Sequence, residues 1–238
     1  MFVSVILFSC RKKFLDKIPD SELEVPTTLK DFRALLDNDR LMNETPALGE
    51  LSADNFYLPE FFWSTALGVK EKNAFIWAPD VYQGTIGILD WDRPYQQVFY
   101  ANVVMEGLKK MEGMEVGTPE WNDLMGSALF IRAYAFHNLV QIFSHVYHAS
   151  NEDSLGISLR LESDINKSIP RATLKQTYDR IEKDLKEAIP YLEKNTQTHF
   201  YNRPTKAADY ALLARVFLSK SDYAQALKYA DSSLLLKA

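Results

Sequence analysis

Apolar residues recur along most of the chain at the spacing of a helix. Leu29, Phe32, Leu35 and Leu36 follow one another at three- and four-residue steps, which places them on one helical face. Thr28-Leu-Lys-Asp31 stands just ahead with capping-box spacing, so a helix starts there. A longer pattern opens at Thr118-Pro119, a polar cap followed by proline at the first helical position, where no N–H is needed. From it, Trp121, Leu124, Ala128, Ile131, Ala135, Leu139, Ile142 and Val146 keep the rhythm of about 3.6 residues per turn and predict one helix running to His148. Thr173-Leu-Lys-Gln176 is a second capping box, and Leu174, Tyr178, Ile181, Leu185, Ala188 and Leu192 form the apolar stripe behind it. Pro190 ends or kinks that helix, because its ring clashes with the preceding turn.

Residues 50–95 read differently. LSADNFYLPEFFW and AFIWAPDVYQGTIGILDWDRPYQQVFY mix prolines and glycines with clustered aromatics, which predicts a loop-rich segment with short helices. The run LGISLRLE alternates Ile157, Leu159 and Leu161 with Ser158, Arg160 and Glu162, the pattern of an extended segment with one face buried. After Asn202-Arg203-Pro204 two helical arms follow, about Thr205 to Lys220 and Asp222 to Leu236. This hairpin is similar to one tetratricopeptide (TPR) repeat, with Tyr210, Leu213, Ala214, Phe217, Tyr223 and Ala226 at the characteristic positions. No copy precedes it by about 34 residues, so it reads as one TPR-like pair inside a larger helical body. The chain is therefore mostly α. Leu234-Leu235-Leu236 calls for a partner surface, and the C-terminus reads as a truncation or a domain edge.

Composition narrows the function. The 238 residues are 47% hydrophobic and 25% charged, ordinary globular values. A net charge of −5 argues against nucleic acid, which needs a basic face. The nine glycines form no phosphate-cradling loop, and no cofactor motif is present. The single cysteine, Cys10, excludes an internal disulfide and any CxxC pair. It sits at the end of the apolar run Phe2 to Phe8 and before Arg11-Lys12-Lys13. That run is too short to span a bilayer, which takes about 20 residues, but matches the apolar core of a secretory signal, roughly 7–15 residues. Leu7-Phe8-Ser9-Cys10 thus has two readings. It is either a lipobox, whose thiol is acylated after cleavage, or a small buried thiol.

Other candidate groups are aromatic. Trp63, Trp77, Trp91 and Tyr82, with Tyr57 and Tyr95, supply faces on which sugar rings stack, although large aromatics in most proteins are core. His145 and His148, three apart on the predicted helix, could share a metal. No carboxylate completes an HExxH pattern, so an exposed terminal pair is preferred, with His137 elsewhere on the helix. No nucleophile elbow or Cys–His arrangement is present, and no catalytic constellation emerges.

Taken in order, the segments carry a resemblance. CRKKFLDKIPDSELEVPTTLKDFRALLDN, NETPALGELSADNFYL, YQQVFYANVVMEGL, ALFIRAYAFHNLVQIFSHVY, LGISLRL, PRATLKQTYDRIEKDLKEAIPYL and RPTKAADYALLARVFLSKSDYAQALKYADSSLL resemble the N-terminal part of the SusD/RagB family. Ile131 ahead of Arg-Ala-Tyr and Ser158 depart from residues common in that family. The resemblance implies a SusD-like helical domain with TPR-like helix pairs, a cell-surface binder of glycans or peptides rather than an enzyme. Its implied partner is a SusC-like TonB-dependent outer-membrane transporter. Cys10 is then the lipid-attachment site, holding the protein to the outer membrane through acyl chains, facing the exterior. On this reading residues 1–9 are a partial signal peptide and residues 10–238 an N-terminal SusD-like domain, with the TPR-like hairpin at about 205–236. Two other functions compete: a TPR-type adaptor for protein segments, and an α-helical glycoside hydrolase, which would need a paired acid and base.

Overall fold

A computed structural model describes residues 26–194 and 200–236, so Cys10 and the proposed signal lie outside the described residues. Thr28 caps α1 (Leu29–Leu36) as its sequence predicts: its hydroxyl accepts from the Asp31 N–H, and the Asp31 carboxylate accepts from the Thr28 N–H at 2.9 Å. Four short helices follow: α2 (Asp39–Met42), α3 (Leu48–Leu51), α4 (Glu60–Ala66) and α5 (Val69–Phe75). Then come the long helices α6 (Leu89–Lys110) and α7 (Pro119–Phe143). A two-stranded antiparallel ribbon, β1 (Leu155–Ser158) with β2 (Arg171–Thr173), leads into α8 (Leu174–Ala188). The hairpin of α9 (Lys206–Ser219) and α10 (Tyr223–Leu235) closes the order.

Helix α7 is the centre. It packs on α6 along one side and α8 along another, with α1 and α9 in further contact. Leu124, Ala128, Ala135, Phe136 and Leu139 are consequently sealed from solvent. The stripe predicted for α8 is buried at every position, from Leu174 to Leu192. Helix α1 reaches α6 at Gly107, where a Cβ would lie 2.1 Å from Phe32 Cζ, so only a residue without a side chain permits that approach.

Several boundaries differ from the sequence expectation. Helix α6 begins at Leu89, inside the segment read as loop-rich to residue 95. Pro94 removes only the bond to the Asp90 carbonyl, and the burial of Pro94, Val98 and Ala101 outweighs that loss. Helix α7 stops at Phe143 rather than His148, because the Arg171 guanidinium donates to the Phe143 carbonyl at 2.9 Å and Ser144 turns extended. His145 and His148 are therefore on no helix; His148 instead caps a short 3-10 turn at Ala149–Asn151. No cluster of three metal-ligating side chains occurs among the described residues. In the extended run only Ile157 is sealed, Leu159 is half-buried and Leu161 is exposed, since the strand ends at Ser158. Tyr223 is also exposed, on an outer face of α10 that includes Leu227, Leu234 and Leu235.

His137 and Asp209 are among the titratable groups buried in the helical core. His137 is pushed down to about 4, chiefly by burial and further by the Arg215 charge, so it is a neutral core residue. Asp209, in the first turns of α9, is fully buried with neither carboxylate oxygen hydrogen-bonded among the described residues. Burial pushes its carboxyl up to about 8.

A candidate ligand-binding cleft

A cleft of about 1090 Å³ runs along α6. Its floor is a ridge of Trp91, Tyr95 and Phe99, which recur every four residues and so stay near one face of the helix. All three are half-buried, with part of each side chain left to the cleft. The ridge is braced from behind. Trp91 packs against Tyr95 at 4.9 Å and edge-on against Phe143 at 4.9 Å between ring centres. The Tyr95 phenol, whose pKa burial raises, donates to the Ser158 carbonyl at 3.0 Å.

The opposite wall is the segment after β1, bearing Arg160, Glu162, Ser163 and Asp164. This irregular stretch is held by side chains from α6. Asn102 donates to the carbonyls of Arg160 at 3.0 Å and Glu162 at 3.1 Å, and Glu106 accepts from the Ser163 N–H at 2.7 Å and hydroxyl at 2.6 Å. Asn102 is itself fixed from the core. Its carbonyl accepts from Arg132 Nη1 at 2.8 Å, while Arg132 forms a two-pronged pair with Asp184 at 2.8 and 2.7 Å. Arg132 and Asp184 are both buried, and Arg180 adds a second cation to Asp184. A relay of hydrogen-bonded groups, Asp184, Arg132 and Asn102, therefore runs from α8 through α7 and α6 to the cleft wall. Buried networks are rigid when every member is satisfied.

The third side is the end of α2 and the turn behind it. Gln97, fully buried on α6, donates to the carbonyls of Leu41 and Glu44, each at 2.8 Å. Glu44 in turn pairs with Arg93 at 3.1 Å on the rim. The result joins partly open aromatic faces to a set of guanidinium, carboxylate, amide and hydroxyl groups. Such an arrangement suits a ligand with apolar ring faces and many hydroxyls.

Of the six aromatics singled out from sequence, Trp91 and Tyr95 line this cleft and the other four do not. Trp63, on α4, is half-buried; its indole donates to the Lys72 carbonyl at 3.4 Å, and the Lys72 ammonium sits 5.8 Å from its ring centre. Trp77 is 68% exposed with a left-handed φ of 53°, its indole donating to the Ser52 carbonyl at 2.7 Å. Tyr82 lies in a turn closed by the Asp80 carboxylate, and burial together with the Asp90 charge raises its phenol. The structure thus brings Trp91 and Tyr95 together and leaves Trp63, Trp77 and Tyr82 in separate places. Sequence reasoning missed Phe99, Tyr100, Asn102 and Arg160; the four-residue spacing from Trp91 to Phe99 was the available signal once the stretch is seen as helix.

Residues 13–218 match the model of the SusD-like family described as "Starch-binding associating with outer membrane". Among solved structures, the chain is similar to a SusD superfamily protein from Bacteroides thetaiotaomicron, with 20% identity and a TM-score of 0.71 over 87% of this chain and 46% of that one. A putative sugar binding protein from Bacteroides vulgatus matches with 24% identity and a TM-score of 0.69, over 90% of this chain and 47% of that one. A laminarin binding SusD-like protein matches with 18% identity and a TM-score of 0.61, over 87% and 43%. The chain spans about half the length of these structures. No curated protein matches it.

Proposed function

The chain belongs to the SusD-like family of starch-binding, outer-membrane-associated proteins, and from that premise we propose that its α6 cleft binds a glycan for uptake. The observation that carries this is the ridge of Trp91, Tyr95 and Phe99 facing a pinned polar wall. Sugar rings stack on the ridge, and Arg160, Glu162 and Ser163 read their hydroxyls. At about 1090 Å³ the cleft exceeds the usual span of small-molecule pockets, roughly 300–1,000 Å³, and suits an oligosaccharide better than a single ring. The protein captures without cleaving, then delivers the glycan to a SusC-like TonB-dependent transporter, which it lids. Acyl chains on Cys10 tether it to the outer membrane, because two or more chains give firm anchoring where one does not.

Binding to laminarin and starch, followed by retardation in glycan-containing native gels, tests the cleft. Trp91→Ala and Tyr95→Ala each weaken retention about fivefold or more, as expected for losing one stacking face of roughly 1 kcal/mol. Unchanged retention in both variants, or release of reducing sugar by the wild-type protein, overturns the reading. In the full-length protein with its complete signal, Cys10→Ala moves the protein from the detergent-extracted membrane fraction to the soluble fraction; unaltered fractionation refutes the anchor. One observation favours a second reading, a protein-binding adaptor: the outer face of α10 exposes Tyr223, Leu227, Leu234 and Leu235.

A further inference from the structure

Arg171, the first residue of β2, stands outside the α6 cleft and lines none of it. Among the described residues its guanidinium donates only to backbone carbonyls. It meets Gly156 at 2.7 Å and Leu155 at 3.3 Å on β1, and Phe143 at 2.9 Å where α7 ends.

Both elements need such a donor. In the ribbon Leu155 faces Thr173 and Ser158 faces Arg171, so three steps along β1 match two along β2. An extra residue of this kind leaves ladder groups unpaired and bends its strand. The Leu155 and Gly156 carbonyls lie in that stretch, and the Arg171 fork reaches them there. The Phe143 carbonyl belongs to the last turn of α7, whose carbonyls have no partner within the helix and carry its partial negative charge. A planar guanidinium with fixed donor directions holds these carbonyls in one relation, which the point charge of a lysine does not.

The elements joined in this way carry the two braces of the aromatic ridge. Phe143 stands edge-on to Trp91, with 4.9 Å between ring centres and 90° between planes. Ser158, across the ribbon from Arg171, accepts from the Tyr95 phenol at 3.0 Å. Trp91 and Tyr95 pack on each other at 4.9 Å, so a shift in either brace reaches both rings.

We propose that Arg171 is a positioning residue for the cleft. It touches no ligand; by locking the end of α7 to the bulged strand it fixes how Trp91 and Tyr95 present their faces. This rests on the α6 cleft as the glycan site, and its test has an arm that needs no glycan.

The experiment labels the full chain with 5-fluorotryptophan and records the 19F resonances of its four tryptophans, with Trp91→Phe identifying the Trp91 line. Arg171→Met keeps the apolar stem and removes the donors. It moves and broadens the Trp91 line, while Trp121, braced by Tyr191 at 6.1 Å, keeps its place. A merely structural arginine would lower the unfolding midpoint and leave the Trp91 line of the folded protein unmoved. Laminarin retention falls about fivefold, comparable to losing one stacking face. In a Trp91→Ala background the same change costs less than half as much in fold terms, because residues acting through one contact are not additive. Arg171→Lys gives a smaller displacement in the same direction and carries the test if Arg171→Met does not fold. An unmoved Trp91 line in the folded variant, or an undiminished loss in the Trp91→Ala background, overturns the proposal. A wild-type protein that retains neither laminarin nor starch overturns the cleft as a glycan site, and the Trp91 line still decides whether Arg171 holds the ridge.

Discussion

Asp209 offers a sharp test of how the helical core is balanced. Its carboxyl is fully buried on α9, and burial raises its pKa from 3.8 to about 8. In the folded protein the proton is therefore retained up to about pH 8, while in the unfolded chain it is lost near 3.8. Below pH 3.8 both states are protonated and the group costs nothing through ionisation. As pH rises from there the unfolded state holds fewer protons than the folded one, so stability falls by about 1.4 kcal/mol per unit until about pH 8. At pH 7 the accumulated cost is about 4 kcal/mol, a large share of the 5–15 kcal/mol that typically holds a domain together. Asp209→Asn removes the ionisation and keeps the shape. Its amide meets the same apolar surroundings, a penalty of about 1–3 kcal/mol that does not vary with pH. The signal is therefore a slope. Urea unfolding between pH 5 and pH 8 gives a wild-type stability that declines relative to Asp209→Asn by about 1.4 kcal/mol per unit. His137, neutral when folded and pushed down to about 4, acts in the opposite direction below pH 6.5, but it is common to both proteins and cancels in the difference. Parallel curves would mean that Asp209 is ionised and partnered in the fold, and the reasoning would fall.

Other expectations follow from the packing and from the relay behind the cleft. Asn102→Ala releases the carbonyls of Arg160 and Glu162 and leaves Arg132 Nη1 unmet, so glycan retention falls together with a stability loss of about 1–3 kcal/mol in thermal or urea unfolding. Arg132→Ala costs about 3 kcal/mol, the lower end for breaking a buried pair, because Arg180 still neutralises Asp184. Gly107→Ala drives a methyl into the Phe32 ring and lowers stability by about 1–3 kcal/mol, whereas the double change Gly107→Ala with Phe32→Leu recovers part of that loss.

The architecture was legible wherever one element decides its own form. The Thr28 and Thr173 capping boxes and the Thr118-Pro119 start are local signals, and each opens a helix where the sequence places it. The α8 stripe was legible because α8 is amphipathic, buried on one face and charged on the other. Helix α6 was not, for the opposite reason: it is flanked on several sides, so aromatic, amide and apolar residues alternate around it without a polar face. Pro94 and the glycines before it strengthened the impression of a loop, yet Gly84 and Gly87 belong to the turns that precede the helix. The end of α7 was hidden because its stop comes from Arg171, a residue 28 positions away.

The cleft shows the same division at the level of function. Aromatic residues in the right segment could be named from sequence, and Trp91 and Tyr95 lie on the ridge. What turns aromatics into a candidate site is the wall opposite, and that wall has no secondary structure of its own. Its backbone carbonyls are met by Asn102, whose partners sit 58 and 60 residues away, and Asn102 is oriented by Arg132 and through it by Asp184 on a third helix. In sequence the Arg-Ala-Tyr of α7 resembled a family signature; in the structure its arginine is a positioning residue, buried two steps behind the surface it shapes. A loop held this way keeps its form without its own hydrogen-bonded ladder, so it can vary in side chain at Arg160 and Glu162 while its path stays fixed. Exchanging those side chains should change which glycan is retained, while exchanging Asn102 or Arg132 should weaken retention of every glycan, and a panel scored for both classes of variant separates reading the ligand from holding the wall.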